Sequence, residues 1–193
     1  MRPTLRLPAL ALPALLLLAA CGSPSYYLVP PAATGGPRVG GGAGGIAVAD
    51  MNLPTYAETV EIASLDPAGA VTLDKGALWA DTPRRALTRH LIAALQARLS
   101  AQIASEPWPA YDAPGLRVEV FVDRMIGAPE GPFQFSGQYV LVSPASGRIV
   151  STDRFAITTQ AGPGPQGLVA AHAKAVEALA DQIAARVTGR PVG

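Results

Sequence analysis

The chain has 193 residues, 49% of them apolar and 15% charged, with 15 Lys and Arg against 14 Asp and Glu. So even a balance, spread along the chain, carries neither the basic footprint of a nucleic-acid binder nor a polybasic membrane patch. Its single cysteine, Cys21, excludes an intramolecular disulfide and a cysteine-based zinc cluster.

The chain opens with a short basic start, Met1 to Arg6, then an apolar run from Leu7 to Leu18 and the small residues Ala19 and Ala20. This is the pattern of a secretory signal over residues 1–20. The run falls short of the roughly 20 apolar residues a spanning helix needs, and Pro8 and Pro13 interrupt it. Leu18-Ala19-Ala20-Cys21 resembles the bacterial lipobox. The resemblance implies cleavage between Ala20 and Cys21, an S-diacylglycerol on the Cys21 thiol and N-acylation of the new terminus. Acylation also disposes of a lone thiol in an oxidising compartment. Three acyl chains, at about 0.8 kcal/mol per buried CH2, would hold the protein to a bilayer durably. Gly22 and Ser23 follow the cysteine where an Asp commonly signals inner-membrane retention. The expected destination is therefore the periplasmic face of the outer membrane.

Removing Arg2 and Arg6 with the signal takes Lys plus Arg from 15 to 13 against 14 acids, and the remainder is long enough for one domain with a real core. Residues 21–25 read as a lipidated tether and residues 26–189 as the domain. Tyr26-Tyr27-Leu28-Val29 suits a strand ending at Pro30-Pro31. Residues 32–45 are Gly-rich and read as a flexible loop, without the Lys-Ser/Thr ending of a phosphate-binding loop. Ile46 to Asp50, Glu58 to Ala63 and Val71 to Leu73 alternate or run apolar like further strands.

Pro83, behind Asp81 and Thr82 as candidate N-caps, opens a helix expected to run to about Ala104. Leu87, Leu91, Leu95, Leu99 and Ile103 form its apolar stripe, with Arg84, Arg85, Arg89 and Arg98 on the solvated side. His90 reads as partly buried or at the surface. Leu116 to Asp123 alternates cleanly, Leu116, Val118, Val120 and Val122 sharing one face. Phe133–Val142 and Arg148–Thr158, around the turn Pro144 to Gly147, form a hairpin. A final helix follows Pro165, with Val169, His172, Val176, Leu179, Ile183 and Val187 on one stripe and Gly189 ending it. The fold class is α+β: a single domain, mostly antiparallel or mixed sheet, with two main amphipathic helices packed on it.

No paired reactive groups stand out. His90 and His172 lie on different expected helices, no Gly-x-Ser-x-Gly motif occurs, and the acids Asp50, Glu58, Glu61 and Asp66 read as surface residues. No calcium loop is present in the sequence. The expectation is a protein that is not an enzyme, with no catalytic residue, no metal and no cofactor beyond the lipid on Cys21.

Tyr26-Tyr27-Leu28 soon after the lipobox, Ile46-Ala47-Val48 leading to Leu53-Pro54-Thr55-Tyr56, and Leu78-Trp79-Ala80-Asp81 running into a helix together resemble the ABC-type transport auxiliary lipoproteins, the PqiC-like membrane integrity lipoproteins among them. The order and spacing carry the resemblance. The glycine run Gly40 to Gly45 and the segment after Tyr56 depart from the family pattern. The resemblance implies a non-enzymatic subunit of a lipid-trafficking system. Such a subunit docks a periplasmic MCE-domain protein, and through it an inner-membrane permease and ATPase, at the outer membrane. Rings occur in such assemblies, so a homo-oligomer stays open. The alternative is a lipoprotein that itself holds a lipid or chaperones an envelope protein. Tyr26, Tyr27, Tyr56 and Trp108 are the interface candidates, being aromatic enough for hot spots. For Trp79 the preferred reading is packing under the first helix.

Overall fold

The computed structural model describes residues 23–33, 37–41 and 44–189; Ala20, Cys21 and the signal lie outside the described residues. The chain runs β1 (Ser25–Tyr27), β2 (Ile46–Val48), β3 (Glu61–Leu65), β4 (Val71–Trp79), α1 (Pro83–Arg98), β5 (Ile103–Ser105), β6 (Leu116–Gly127), β7 (Pro132–Ser143), β8 (Arg148–Gln160) and α2 (Gly164–Val187). Two helices and two sheets make the expected α+β domain. One sheet has the order β1-β4-β3, the other β5-β2-β6-β7-β8.

The larger sheet is built on the antiparallel meander β6-β7-β8. Alternation drives it: Val118, Val120 and Val122 turn one way into the core while the residues between them stay partly exposed. The turn closes at Gly147, whose φ of 66° suits glycine and whose N–H donates to the Ser143 carbonyl at 2.8 Å. β6 extends past the expected Asp123 to Gly127 because its register shifts between Val122 and Arg124. That extra residue re-aims Met125 into the core. Gly137 lies opposite the shift, where a Cβ would stand 2.1 Å from the Phe121 carbonyl oxygen.

β2 and β5 add to this sheet in parallel. Here the sequence reading needs correction: α1 stops at Arg98, and Ile103 belongs to β5. Ile103 continues the four-residue spacing of Leu95 and Leu99, so periodicity alone runs on. What ends the helix is a strand-like pairing with the preceding loop. Val39 donates its N–H to the Arg98 carbonyl at 2.9 Å and accepts from Ser100 N–H at 2.8 Å. Leu99 is thereby extended, with φ −115° and ψ 145°. The stretch expected as a free Gly-rich loop is, where described, pinned to this end of α1. Gly41 comes so near that a Cβ would lie 2.8 Å from the Ala101 Cβ.

Thr82 occupies the N-cap position of α1 with Pro83 behind it, but no side chain completes the cap. Asp81 instead accepts from Thr82 N–H at 2.7 Å and pairs with Arg85. Both helices contribute to one core: Leu87, Leu91 and Leu95 of α1, Val169, Val176, Leu179 and Ile183 of α2, and Phe133, Phe135, Tyr139 and Phe155 of the meander. Each such side chain gains about 1.5–3 kcal/mol on burial.

Candidate functional site

β1 runs parallel to β4, with Tyr26 beside Leu78 and Tyr27 beside Trp79. From Leu28 the chain forms a strap across the helix pair. Its far end is fixed where Ala33 N–H donates to Glu177 Oε1 of α2 at 3.0 Å. Between the strap, Tyr27 to Ala32, and the α1 face carrying Ala86, Arg89, His90 and Ala93 lies a groove of about 340 Å³. Trp79 and Asp81 close one end.

Helical spacing puts Ala86, Arg89, His90 and Ala93 on one side of α1. The two alanines are what leave space under the strap. His90, expected partly buried or at the surface, is buried at 6% exposure. Its Nε2 lies 3.2 Å from the Ala173 carbonyl and 3.4 Å from Glu177 Oε1. Since a carbonyl only accepts, Nε2 carries the hydrogen. Burial holds the His90 pKa below the usual histidine value, and the Glu177 charge opposes it in part. One carboxylate oxygen thus serves the strap and both helices.

Trp79 is buried, as the packing reading expects, and meets α2: its indole stands T-shaped to the His172 imidazole. Phe133 covers His172 from another side at 4.2 Å. His172 Nδ1 donates to the Leu168 carbonyl at 2.8 Å, and burial pushes its pKa down to about 4. It is a neutral core ring.

The four interface candidates separate. Tyr26 is 66% exposed and lies on β1. Tyr27 is half-buried and packs on the core. The Tyr56 hydroxyl accepts from Met125 N–H at 3.0 Å, tying a short turn to β6. Trp108 donates from Nε1 to the Asp112 carbonyl at 2.8 Å, and its ring lies where a Cβ on Gly45 would come within 2.6 Å. These four do not gather into one patch with the groove; only Tyr27 lines it. Leu28, at 72% exposure, lines the groove and was missed as a candidate, although it stands in the same Tyr-Tyr-Leu run. Arg89, Ala86 and Ala93 gave no signal in the sequence beyond helical spacing.

A second basin, about 450 Å³, sits at the start of α1 among Asp50, Arg84, Arg85, Thr88 and Glu106. Its charges are mostly spoken for: Arg84 pairs with Glu58 and Arg85 with Asp81, while Thr88 Oγ1 accepts from Met51 N–H. Among the described residues no group of three His, Cys, Asp or Glu could hold a metal ion. No helix among them is long and apolar enough to cross a membrane.

The fold and groove define a class: a small α+β module whose strap after β1 lies over its own helix pair. The chain belongs to the ABC-type transport auxiliary lipoprotein component family, matching it over residues 26–184. It is accordingly an auxiliary lipoprotein of ABC-type transport. Among solved structures it is similar to an uncharacterised protein at 20% identity, covering 86% of this chain and 99% of that one with a TM-score of 0.70. It is also similar to a Xanthomonas campestris protein at 16% identity, covering 86% and 96% with a TM-score of 0.69. At these identities the likeness is one of fold. No protein of curated function matches the chain by sequence.

Proposed function

We propose that this protein is a lipid-anchored, non-enzymatic subunit that docks the periplasmic MCE-domain component of an ABC-type lipid transporter at the outer membrane, and so supports membrane integrity. Cys21 bears the S-diacylglycerol and N-acyl chains after cleavage behind Ala20, and the Gly22-Ser23 pair directs the protein to the outer membrane. The observation that carries the reading is the family match over residues 26–184 beginning five residues after the lipobox cysteine. A fixed lipid end and a folded docking end suit tethering: acyl chains supply durable attachment, and an exposed face of the domain supplies contact.

Cys21→Ser tests the reading. The variant should fold, leave the outer-membrane fraction, and lose both co-purification with the MCE-domain partner from membranes and the transport phenotype. Normal function of Cys21→Ser, or a bare mature terminus by mass spectrometry, would overturn it.

A further inference from the structure

We propose that the groove beneath the strap binds a single-chain anionic amphiphile, its acyl tail between the strap and α1 and its carboxylate or phosphate head on Arg89. The site is independent of the docking role; it gives residues to a lipid-holding activity of this chain itself.

The groove's size, about 340 Å³, lies within the roughly 300–1,000 Å³ of small-molecule sites, which are typically apolar with a few placed polar groups. Its long walls are apolar: the strap from Tyr27 to Ala32 on one side, Ala86 and Ala93 on the other, and the Trp79 indole at the end. A groove with alanines on one wall leaves room for an unbranched chain.

Two charged groups line the groove, the Asp81 carboxylate and the Arg89 guanidinium. Asp81 is already engaged: Arg85 Nε donates to both carboxylate oxygens at 2.9 Å, and Thr82 N–H donates to one at 2.7 Å. Arg89, one turn beyond Arg85 on α1, lies between the groove and the Asp50–Glu106 basin and feels the Asp81 charge, but among the described residues no carboxylate stands within salt-bridge distance of it. His90 turns its Nε2 away toward Ala173 and Glu177 and adds no charge to the groove. An unpaired guanidinium beside an apolar channel selects a head with anionic oxygens, which it can meet with paired hydrogen bonds. Leu28, 72% exposed, stands at the open side and offers an apolar entry. The Ala33–Glu177 hydrogen bond holds the strap in place over the tail.

The test uses the full-chain lipoprotein in phosphatidylcholine nanodiscs, in a Trp108→Phe background that serves as wild type and leaves Trp79 the one tryptophan, with its fluorescence quenched by brominated dodecanoate. Wild type should show saturable quenching. Ala93→Phe, at an exposed position, should abolish the saturable part and report quencher merely dissolved in the bilayer. Arg89→Gln should weaken binding about tenfold, the scale of a lost charge-assisted hydrogen bond. Brominated dodecanol, the same tail without the charge, should bind about tenfold more weakly than dodecanoate. Dodecyl phosphate should compete, while inorganic phosphate alone should not. Equal, non-saturating quenching in wild type and Ala93→Phe would overturn the proposal. So would an unchanged Arg89→Gln, dodecanol binding as well as dodecanoate, or displacement by inorganic phosphate alone.

Discussion

The imidazole of His172 stands edge-on to the indole of Trp79, with ring centroids 5.1 Å apart and planes at 85°. This contact locks the end of β4 to the middle of α2 and seats Trp79 as the end wall of the groove. It works only with a neutral imidazole, because an imidazolium here would be buried among Phe133, Trp79 and aliphatic side chains.

Acid should therefore destabilise the domain in a defined window. His172 is depressed from 6.5 to about 4 in the fold. The unfolded chain takes up its proton first as pH falls, so the stability it contributes is whole above pH 6.5 and lost as pH drops toward 4. At about 1.4 kcal/mol per unit the loss is on the order of 3 kcal/mol. Denaturant titrations from pH 7 to 4 should show the fall, and His172→Phe should flatten it. An equally steep fall in the variant would place the effect elsewhere.

Glu177→Ala should free the strap. Its Oε1 accepts from Ala33 N–H and faces His90. Losing one such hydrogen bond costs about 1 kcal/mol. The direct readout is amide exchange: the Ala33 amide should lose protection in Glu177→Ala and keep most of it in Glu177→Gln, while α1 amides stay protected in both.

Tyr56→Phe removes the hydroxyl that accepts from Met125 N–H at 3.0 Å. The Met125 backbone donor left unpaired should cost about 1–2 kcal/mol, seen as a lower denaturant midpoint with an unchanged slope. A variant as stable as wild type would show that water replaces the hydroxyl.

Gly137→Ala should be among the most damaging single substitutions. The added methyl would stand 2.1 Å from the Phe121 carbonyl oxygen, backbone that cannot yield without opening the β6–β7 register. The cost should exceed about 3 kcal/mol. Leu91→Ala, which leaves a cavity under α1, should cost about 2–5 kcal/mol, and the two thermal midpoints can be compared directly.

Much of this architecture is legible in residue order. Pro83 at the first helical position, the alternation from Leu116 to Val122, the Pro144–Gly147 turn and the α2 stripe all act over a few neighbouring residues, and all recur in the fold. The family resemblance carried by Tyr26-Tyr27-Leu28 and Leu78-Trp79-Ala80-Asp81 holds for the same reason: it rests on short runs at set spacings. The helix boundary at Arg98 was not legible, because Leu99 and Ile103 keep the period while Val39, sixty residues upstream, draws Leu99 into extended pairing and Ile46 of β2 draws in Ile103. Local pattern therefore established most of the elements and their faces. The groove, the Glu177 clasp on Ala33 across 144 residues, and the place of Arg89 beside the groove exist only once the strap lies across α1 and α2. They depend on which side chains long-range packing brings within a few ångströms, and periodicity along a chain does not encode that distance.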